Sequence, residues 1–191
     1  MLETDDLLLV PYTPAQLVAL IDEPAQFEQL SGFSAAEGLR SFIVSDEVSP
    51  HFLERLRALS APDPWLLGFV VVHREARCAI GNAGFTGPPD RSGSVEIGYG
   101  IVPAFEGRGY ATQAARALTR FAFDDARVDV VRAHTLPQLN ASTHVLAKCG
   151  YAFVGEIVHP EDGRVWRWET RRPDASETPG NNIVSWMSNG S

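Results

Sequence analysis

The sequence predicts one domain of the α/β (α+β) class, with a mixed sheet of about seven strands and helices on both faces. Short apolar runs of strand length alternate with segments that have helix-capping residues and helical apolar spacing. One strand–helix–strand unit lies in the middle of the chain, so its two strands must be parallel. The chain has 191 residues, 45% of them hydrophobic, and is therefore long enough to bury one core.

The N-terminal part is predicted to form a buried strand and then a helical segment. Residues 7–10 are a short apolar run closed by Pro11, a pattern typical of a buried strand. Residues 13–60 contain several helix starts and are predicted to fold into two or three helices. The starts are Thr13-Pro14-Ala15-Gln16, Ser34-Ala35-Ala36-Glu37 and Ser49-Pro50, the last followed by an apolar face of Phe52, Leu53, Leu56 and Leu59.

A pair of antiparallel strands is predicted to follow. Pro62-Asp63-Pro64 ends the helical segment, because the residue before a proline disfavours helix. Residues 65–72 are predicted to form a buried strand, and a second strand passes through Ile80 and Phe85 after a polar turn. The two strands are predicted to form a hairpin.

The C-terminal half is predicted to alternate strands and helices and to end in a second hairpin. Turn residues at 87–93 and 160–163 separate its periodic segments. The predicted elements are strands at 94–102, 129–136, 151–158 and 164–170, a helix beginning at Tyr110 and a helix at 141–149. We expect the domain to span residues 1–172, and residues 173–191 to form a polar C-terminal tail.

The composition disfavours several classes of function. The formal net charge of −8 argues against broad nucleic-acid binding, which needs a basic surface, and is compatible with a cationic amine substrate. No apolar run approaches the roughly 20 residues of a membrane span, and the acidic N-terminus is unlike a signal peptide. We therefore expect a cytoplasmic protein that does not bind membranes. Cys78 and Cys149 are expected to be reduced, and the histidines have no metal-ligand spacing, so no metal site is expected.

The strand predicted at 94–102 has one face with few side chains. Glu96 shares this face with Gly98 and Gly100, while apolar residues occupy the other face. Two glycines on one face weaken a strand and usually mark the close approach of another group. Glu96 is therefore predicted to lie beside a groove.

A glycine-rich loop, Glu106-Gly107-Arg108-Gly109-Tyr110-Ala111, connects this strand to the next helix. The first turn of a helix has unpaired N–H groups and a partial positive charge, and glycines let an anion approach them. The loop is therefore a candidate phosphate site, and a plain strand–helix turn is the alternative. A dinucleotide fingerprint does not fit, because Thr112 replaces its third glycine, and the Gly-Lys-Ser/Thr of a Walker loop is missing.

Two motifs resemble one known family. Val95-Glu96-Ile97-Gly98-Tyr99 together with residues 106–112 resembles the acetyl-CoA-binding motif of the GNAT superfamily, specifically its ribosomal-protein N-terminal acetyltransferase-like branch. Asn140-Ala141-Ser142-Thr143, followed by Val145-Leu146-Ala147-Lys148-Cys149-Gly150-Tyr151, is similar to the Asn-x-x-Ser helix of that branch, although here the asparagine stands two residues before the serine instead of three. The resemblance covers residues 2–170 and is strongest over 94–151.

The resemblance implies the GNAT fold, in which the strands at 94–102 and 129–136 splay in the middle of the sheet and form a V-shaped cleft. Acetyl-CoA is the implied co-substrate, with pantetheine along the first strand and pyrophosphate on the N–H groups of the loop. The implied cofactor-binding residues are Ile101, Val102, Gly107, Arg108, Gly109, Tyr110, Ala111, Thr112 and Asn140. A helix N-cap is the alternative role for Asn140, and the two roles are compatible.

An amine that attacks a thioester needs a base, since amines are mostly protonated at neutral pH, and the departing thiolate needs a proton. The resemblance makes Glu96 the candidate base, with a structural carboxylate as the alternative. It makes Ser142 the candidate acid, with an ordinary first-turn serine as the alternative, because Leu146 aligns with the tyrosine that other GNAT branches use. His134, near the cleft, is a further candidate for base or substrate contact, and a surface or core histidine is the alternative.

The implied function is acetyl transfer from acetyl-CoA to a primary amine by direct attack in a ternary complex. The acceptor is either a protein N-terminus or a small-molecule amine, and a homodimer is one assembly that the resemblance implies. The alternative is a catalytically idle acyl-CoA-binding or regulatory domain, against which the retention of Glu96 and Ser142 argues. A nucleotide-binding oxidoreductase is a third hypothesis, which the missing third glycine disfavours.

Overall fold

The computed structural model of the chain describes residues 1–42, 56, 59, 61–160 and 162–173. The helix predicted from Ser49-Pro50 and nearly all of the tail predicted at 173–191 lie outside these residues. None of the described helices has both the length and the apolar character that crossing a membrane requires. Cys78 and Cys149 are free cysteines in this structure, and their reduced state stays a prediction.

The described residues form a mixed sheet of nine strands at the centre of the fold. The strands are β1 (Leu2–Glu3), β2 (Leu7–Pro11), β3 (Ser34–Ala35), β4 (Phe69–His73), β5 (Cys78–Phe85), β6 (Ser94–Ile101), β7 (Val130–Thr135), β8 (Ala152–His159) and β9 (Gly163–Arg171). Their order across the sheet is β1-β2-β4-β5-β6-β7-β9-β8, with β3 beside the start of β5. The mixed sheet is confirmed, as are both hairpins. The sequence analysis missed β1 and β3, which have two residues each and are too short to show a period.

The helices connect these strands along the chain, and the two in the C-terminal half lie where they were predicted. They are α1 (Pro14–Asp22), α2 (Pro24–Ser31), α3 (Pro64–Leu67), α4 (Tyr110–Asp124) and α5 (Ala141–Lys148), with 3-10 turns at Leu39–Phe42 and Pro103–Phe105. The predicted capping box of α1 is confirmed. Thr13 Oγ1 accepts from the Gln16 N–H at 3.1 Å, and Gln16 Oε1 accepts from the Thr13 N–H at 3.0 Å. This exchange satisfies two N–H groups that the sequence alone assigned to a helix end.

The capping pattern Ser34-Ala35-Ala36-Glu37 does not begin a helix, so that prediction is wrong. Ser34 and Ala35 form β3 and pair with Cys78 and Ala79. The N–H of Ala36 also donates to Ala79 O at 2.9 Å. The start of β5 therefore satisfies the backbone groups that a helix would have to satisfy internally, and this tertiary pairing overrides the local pattern.

The strand predicted over residues 65–72 is a helix in its first half. Asp63 Oδ1 accepts from the Trp65 N–H at 2.9 Å and caps α3, which ends at Gly68. Gly68 has a φ of +67°, and a Cβ there would lie 2.8 Å from Ala83 O, so the turn into β4 requires glycine. One apolar run is therefore divided between a helix, α3, and a strand, β4. Hydrophobic periodicity does not distinguish helix from strand in so short a segment.

β6 and β7 are paired along only part of their described length. Their parallel ladder joins residues 94–96 to residues 130–132 and stops there. Beyond it, β6 continues to Ile101 beside β5, and β7 continues to Thr135 beside β9. The two strands therefore diverge after Glu96 and leave a gap in the middle of the sheet. This splay is the one that the resemblance implied.

Strand pairing divides the side chains around the gap between two faces. On the first, which we call the helix face, Ile97 and Ile101 are buried in one core with Ala114 and Leu118 of α4. The second, which we call the glycine face, carries residues that are aligned across neighbouring strands. They are Asn82 and Gly84 of β5, Glu96, Gly98 and Gly100 of β6, Arg132 and His134 of β7, and Arg167 of β9.

Candidate active site

A cleft of about 730 Å³ opens on the helix face beside the gap. Its walls are the last residues of β6, the loop around residues 105–109, the first turn of α4 and the start of α5. We call it the helix-face cleft. It lies where the sequence analysis placed a phosphate site, because the predicted glycine loop forms one of its walls.

The glycine loop presents exposed backbone to this cleft. Gly107 and Gly109 have φ of +74° and +82°, in the left-handed region that favours glycine, and a Cβ at either would meet nothing within 4 Å. The first hydrogen bond into α4 runs from the Gln113 N–H to Gly109 O at 3.1 Å. The N–H groups ahead of Gln113 therefore have no partner within the helix, and they lie at its positive end. These are the properties that a phosphate site requires.

Most of the predicted cofactor-binding residues line the helix-face cleft. They are Ile101, Gly107, Gly109, Tyr110, Ala111 and Thr112. Val102 is buried instead, and its N–H already donates to Ile80 O at 2.8 Å. The Arg108 guanidinium donates to Ala104 O at 3.3 Å and lies over the Phe105 ring, so its side chain turns back onto the preceding 3-10 turn.

Asn140 is the N-cap of α5. Its Oδ1 accepts from the Thr143 N–H at 3.0 Å, and Thr143 Oγ1 accepts from the Asn140 N–H at 3.1 Å. The N-cap interpretation is therefore confirmed, and the shifted spacing relative to Ser142 does not prevent the helix from starting. Leu146, at the position of the tyrosine of other branches, is fully buried and belongs to the core.

Ser142 lies in the first turn of α5 and meets Tyr99 of β6. Ser142 Oγ and Tyr99 Oη are 3.2 Å apart, and both residues line the helix-face cleft. Burial raises the pKa of Tyr99 to about 12, so the phenol is protonated at neutral pH and has a proton to donate. The sequence analysis missed Tyr99, because its partner is 43 residues away and no local pattern indicates the contact.

Three side chains from neighbouring strands form a hydrogen-bonded row on the glycine face. Glu96 Oε1 lies 2.9 Å from His134 Nδ1, and Arg167 Nε donates to His134 Nε2 at 3.4 Å. A guanidinium can only donate, so Nε2 must accept and the imidazole proton resides on Nδ1. His134 therefore donates to Glu96. The structure thus brings two of the predicted candidates, Glu96 and His134, into contact.

The row borders a polar cleft of about 300 Å³, whose charged lining also includes Asp90, Arg132 and His159. A possible metal site lies here, because one potential ligand atom from each of Glu96, His134 and His159 lies within 4.8 Å of the other two. Sequence spacing did not indicate this cluster, because its members lie on three different strands. The hydrogen bonds of His134 use both ring nitrogens, which opposes metal binding. The absence of a metal site stays a prediction.

A cavity of about 410 Å³ lies on the glycine face and is lined by Gly98 and Gly100. It reaches Tyr12 and Asn82, which form a hydrogen bond from Tyr12 Oη to Asn82 Oδ1, while Asn82 Nδ2 is buried without a hydrogen-bond partner among the described residues. A Cβ at Gly98 would meet nothing within 4 Å, so this stretch of β6 is open. Tyr99 and Gly100 border both this cavity and the helix-face cleft, so the two meet at β6.

Residues 6–152 match a family model described as the Acetyltransferase (GNAT) domain. The chain belongs to this family. The match includes β6, the glycine loop, α4 and α5, and therefore contains both motifs that the sequence analysis used. The GNAT resemblance is confirmed, and the splayed sheet described above is a GNAT fold.

Two related sequences show how far the similarity extends. The GNAT chain is 28% identical over 108 residues to the uncharacterized N-acetyltransferase YjdG of Bacillus subtilis. This match covers 55% of this chain and 62% of that protein. It is 36% identical over 72 residues to the FsC-acetyl coenzyme A-N(2)-transacetylase of Aspergillus fumigatus, which covers 38% of this chain and 31% of that protein. The chain thus spans less than two thirds of the length of either relative.

The fold is shared with solved acetyltransferase structures. RimL, a ribosomal-protein alpha-N-acetyltransferase solved in complex with coenzyme A, superposes with a TM-score of 0.60 at 14% identity, over 88% of this chain and 95% of that chain. RimL belongs to the ribosomal-protein branch that the two motifs resemble. At this identity the likeness concerns the fold, and the roles of individual residues must come from the geometry of this chain.

Proposed function

We propose that this GNAT protein transfers the acetyl group of acetyl-CoA to a primary amine by direct attack in a ternary complex. The main support is that the helix-face cleft and the glycine-face cavity meet at Tyr99 and Gly100, beside the gap between β6 and β7. One substrate can approach from each face of the sheet, so the acyl group and the amine are brought together without a covalent enzyme intermediate.

Acetyl-CoA is the co-substrate and supplies an activated acyl group, the thioester. The helix-face cleft suits it because the N–H groups of the glycine loop and the positive end of α4 attract a pyrophosphate. Ile101 gives the cleft an apolar wall, and Lys148 adds a cation on the α5 side. Arg108 contributes through its backbone, because its guanidinium already has a partner. The N–H of Val102 is bonded to Ile80 O, so Val102 contributes by burying the end of β6 and not by a hydrogen bond to the cofactor.

Glu96 is the base in this proposal. The acceptor amine must lose a proton before it attacks, and Glu96 accepts that proton directly or through a water molecule. His134 is a positioning residue, since its Nδ1–H holds one carboxylate oxygen at 2.9 Å and leaves the other for the amine. Arg167 fixes the tautomer of His134 from the far side, so the row orients the base at the edge of the gap.

Ser142 and Tyr99 protonate the departing thiolate. Their hydroxyls are 3.2 Å apart in the helix-face cleft, so Ser142 can give a proton to the sulfur and receive one from Tyr99. Burial raises the pKa of Tyr99 to about 12, so the phenol is protonated throughout the neutral range. The base and the acid thus lie on opposite faces of β6.

The acceptor class stays open between protein and small-molecule amines. The name of RimL specifies a ribosomal protein as its acceptor, and the name of the Aspergillus relative specifies FsC. The homodimer that the resemblance implies also stays a prediction.

The proposal is tested by measuring thiol release from acetyl-CoA with a panel of amines. Wild-type protein is expected to turn over at least one amine, and Glu96→Gln is expected to lower kcat about 100- to 10,000-fold without changing coenzyme A affinity. Glu156→Gln is the control, because Glu156 is a surface carboxylate paired with Arg164 at 3.0 Å. Acetyl-CoA binding without turnover of any amine would instead support the idle acyl-CoA-binding or regulatory domain.

A further inference from the structure

Arg167 lines the polar cleft and has no acidic partner in the part of the chain that the structure describes. Among the described residues its side chain contacts His134 Nε2 at 3.4 Å, and no carboxylate of those residues lies within ion-pair distance. Arg132, on the same face, differs: it pairs with Glu169 at 2.9 Å and with Asp90 at 3.7 Å. The two terminal NH2 groups of Arg167 are therefore unused by the described protein.

The acidic groups that line the polar cleft, Asp90 and Glu96, are bonded to residues other than Arg167. Asp90 accepts hydrogen bonds from Ser92 and Ser94, which lower its pKa, and its remaining interaction is with Arg132. Glu96 is already bonded to His134. The His159 ring lies 5.3 Å from the His134 ring, and its Nδ1 lies 3.1 Å from Asp162 Oδ2. The unused N–H groups of Arg167, in a partly enclosed cleft, therefore favour an anionic ligand.

We propose that Arg167 binds an oxyanion, a carboxylate or a phosphate, on the same acceptor molecule whose amine faces Glu96. This inference rests on the proposed function and specifies its acceptor class. The planar guanidinium matches both oxyanions, because two parallel N–H groups can donate to two oxygens. Amine and oxyanion are then recognised by the two ends of one row, with His134 between them.

The spacing of the row limits the length of the acceptor. Glu96 lies on β6 and Arg167 on β9, with β7 between them. Glu96 is aligned with Arg132, and Arg167 with His134 two residues farther along β7. Two strand spacings of about 4.8 Å and an offset of two residues of about 3.3 Å each place the two backbones about 12 Å apart. Both side chains extend toward His134. The amine and the oxyanion are therefore several bonds apart. A linear ω-amino acid fits this separation, whereas an α-amino acid, with one carbon between the two groups, does not.

The test uses two acceptors of equal length, 5-aminopentanoate and 5-aminopentan-1-ol, which differ in the oxyanion alone. Wild-type protein is expected to show a kcat/KM about 10- to 100-fold higher for the carboxylate, the range of a charge-assisted hydrogen bond, mainly through KM. Arg167→Gln is expected to remove this preference, so that the kcat/KM values of the carboxylate and the alcohol become equal within the variant. Arg171→Gln is the matched control, since Arg171 lies on the same strand and the same face and is exposed. 5-Aminopentylphosphonate distinguishes phosphate from carboxylate recognition.

Calorimetric binding of the same probes in the presence of coenzyme A gives a readout that does not need turnover. Equal binding of both probes by wild-type protein, or a parallel loss of both in Arg167→Gln, overturns the oxyanion site. The second result would show that Arg167 merely supports His134. A third result is that wild-type protein binds the carboxylate selectively, Arg167→Gln loses this selectivity, and no probe is acetylated. This result would support the oxyanion site and overturn the proposed function. Arg167→Lys should keep part of the preference, which excludes misfolding as the cause.

Discussion

Replacing Gly98 with valine separates the role of the glycine face in catalysis from its role in folding. Gly98 lies in the middle of β6, and a Cβ at this position would meet nothing within 4 Å. A glycine inside a strand costs about 0.5–1 kcal/mol relative to alanine, and valine is a better strand residue still. The free energy of unfolding of Gly98→Val is therefore expected to be unchanged or about 1 kcal/mol higher.

Activity is expected to change in the opposite direction. The new isopropyl group projects into the glycine-face cavity next to Glu96, where the acceptor amine must pass. Displacement of a reacting group by about 1 Å costs about 100-fold in rate, which corresponds to about 2.7 kcal/mol. We expect kcat/KM for the amine to fall at least that far. Gly98 does not line the helix-face cleft, so coenzyme A affinity is expected to stay within about twofold of wild type.

The assay combines urea unfolding, coenzyme A calorimetry and steady-state acetylation on the same preparations. Gly98→Ala should give an intermediate loss of activity. Gly81→Ala is the contrast, because a Cβ at Gly81 would lie 2.1 Å from Gly100 O and must move backbone; it should lose about 1–3 kcal/mol of stability. A folded Gly98→Val protein with full kcat/KM would refute the idea that the acceptor reaches the acetyl group across the glycine face.

Two further predictions concern stability. Asn140→Ala removes the cap of α5 and should lower the free energy of unfolding by about 0.5–2 kcal/mol, which is measured as a lower Tm. Asn140→Ser should restore the Tm. An equal Tm for Asn140→Ala and wild type would contradict the capping role. The pKa of Tyr99, raised by burial from 10.0 to about 12, adds stability that is complete below pH 10 and is lost as the pH rises to 12. Urea unfolding at pH 8 and pH 11 should show this loss, and Tyr99→Phe should reduce it; a pH-independent free energy of unfolding would exclude it.

The parts of the site that sequence alone predicts are those built from contiguous residues. Residues 106–112 form a phosphate-type loop because two glycines adopt positive φ immediately before a helix, and that requirement is visible in the sequence. The alternation of β6 likewise predicts which side chains share a face with Glu96, and the strand pairing agrees. The helix starts at Thr13 and Asn140 are predictable because each capping contact joins residues only three positions apart.

The parts that sequence did not predict depend on contacts between distant strands. His134 meets Glu96 across 38 residues and Arg167 across 33, and both contacts follow from the register of β6, β7 and β9. A one-residue change of register would turn these side chains to the other face, so composition and local periodicity contain no information about the row. The same reason explains β3, whose pairing with β5 replaces a helix that its own residues favour.

This difference between local and distant contacts also separates the two substrates. In the proposed site, the cofactor is bound mainly by backbone N–H groups, which any sequence that permits the loop provides. The proposed acceptor side instead uses side chains from three strands. Substitution at Arg167 should therefore change which amine is acetylated while coenzyme A binding stays constant. In this proposal the acceptor preference depends on the glycine face, and the oxyanion probes measure that dependence directly.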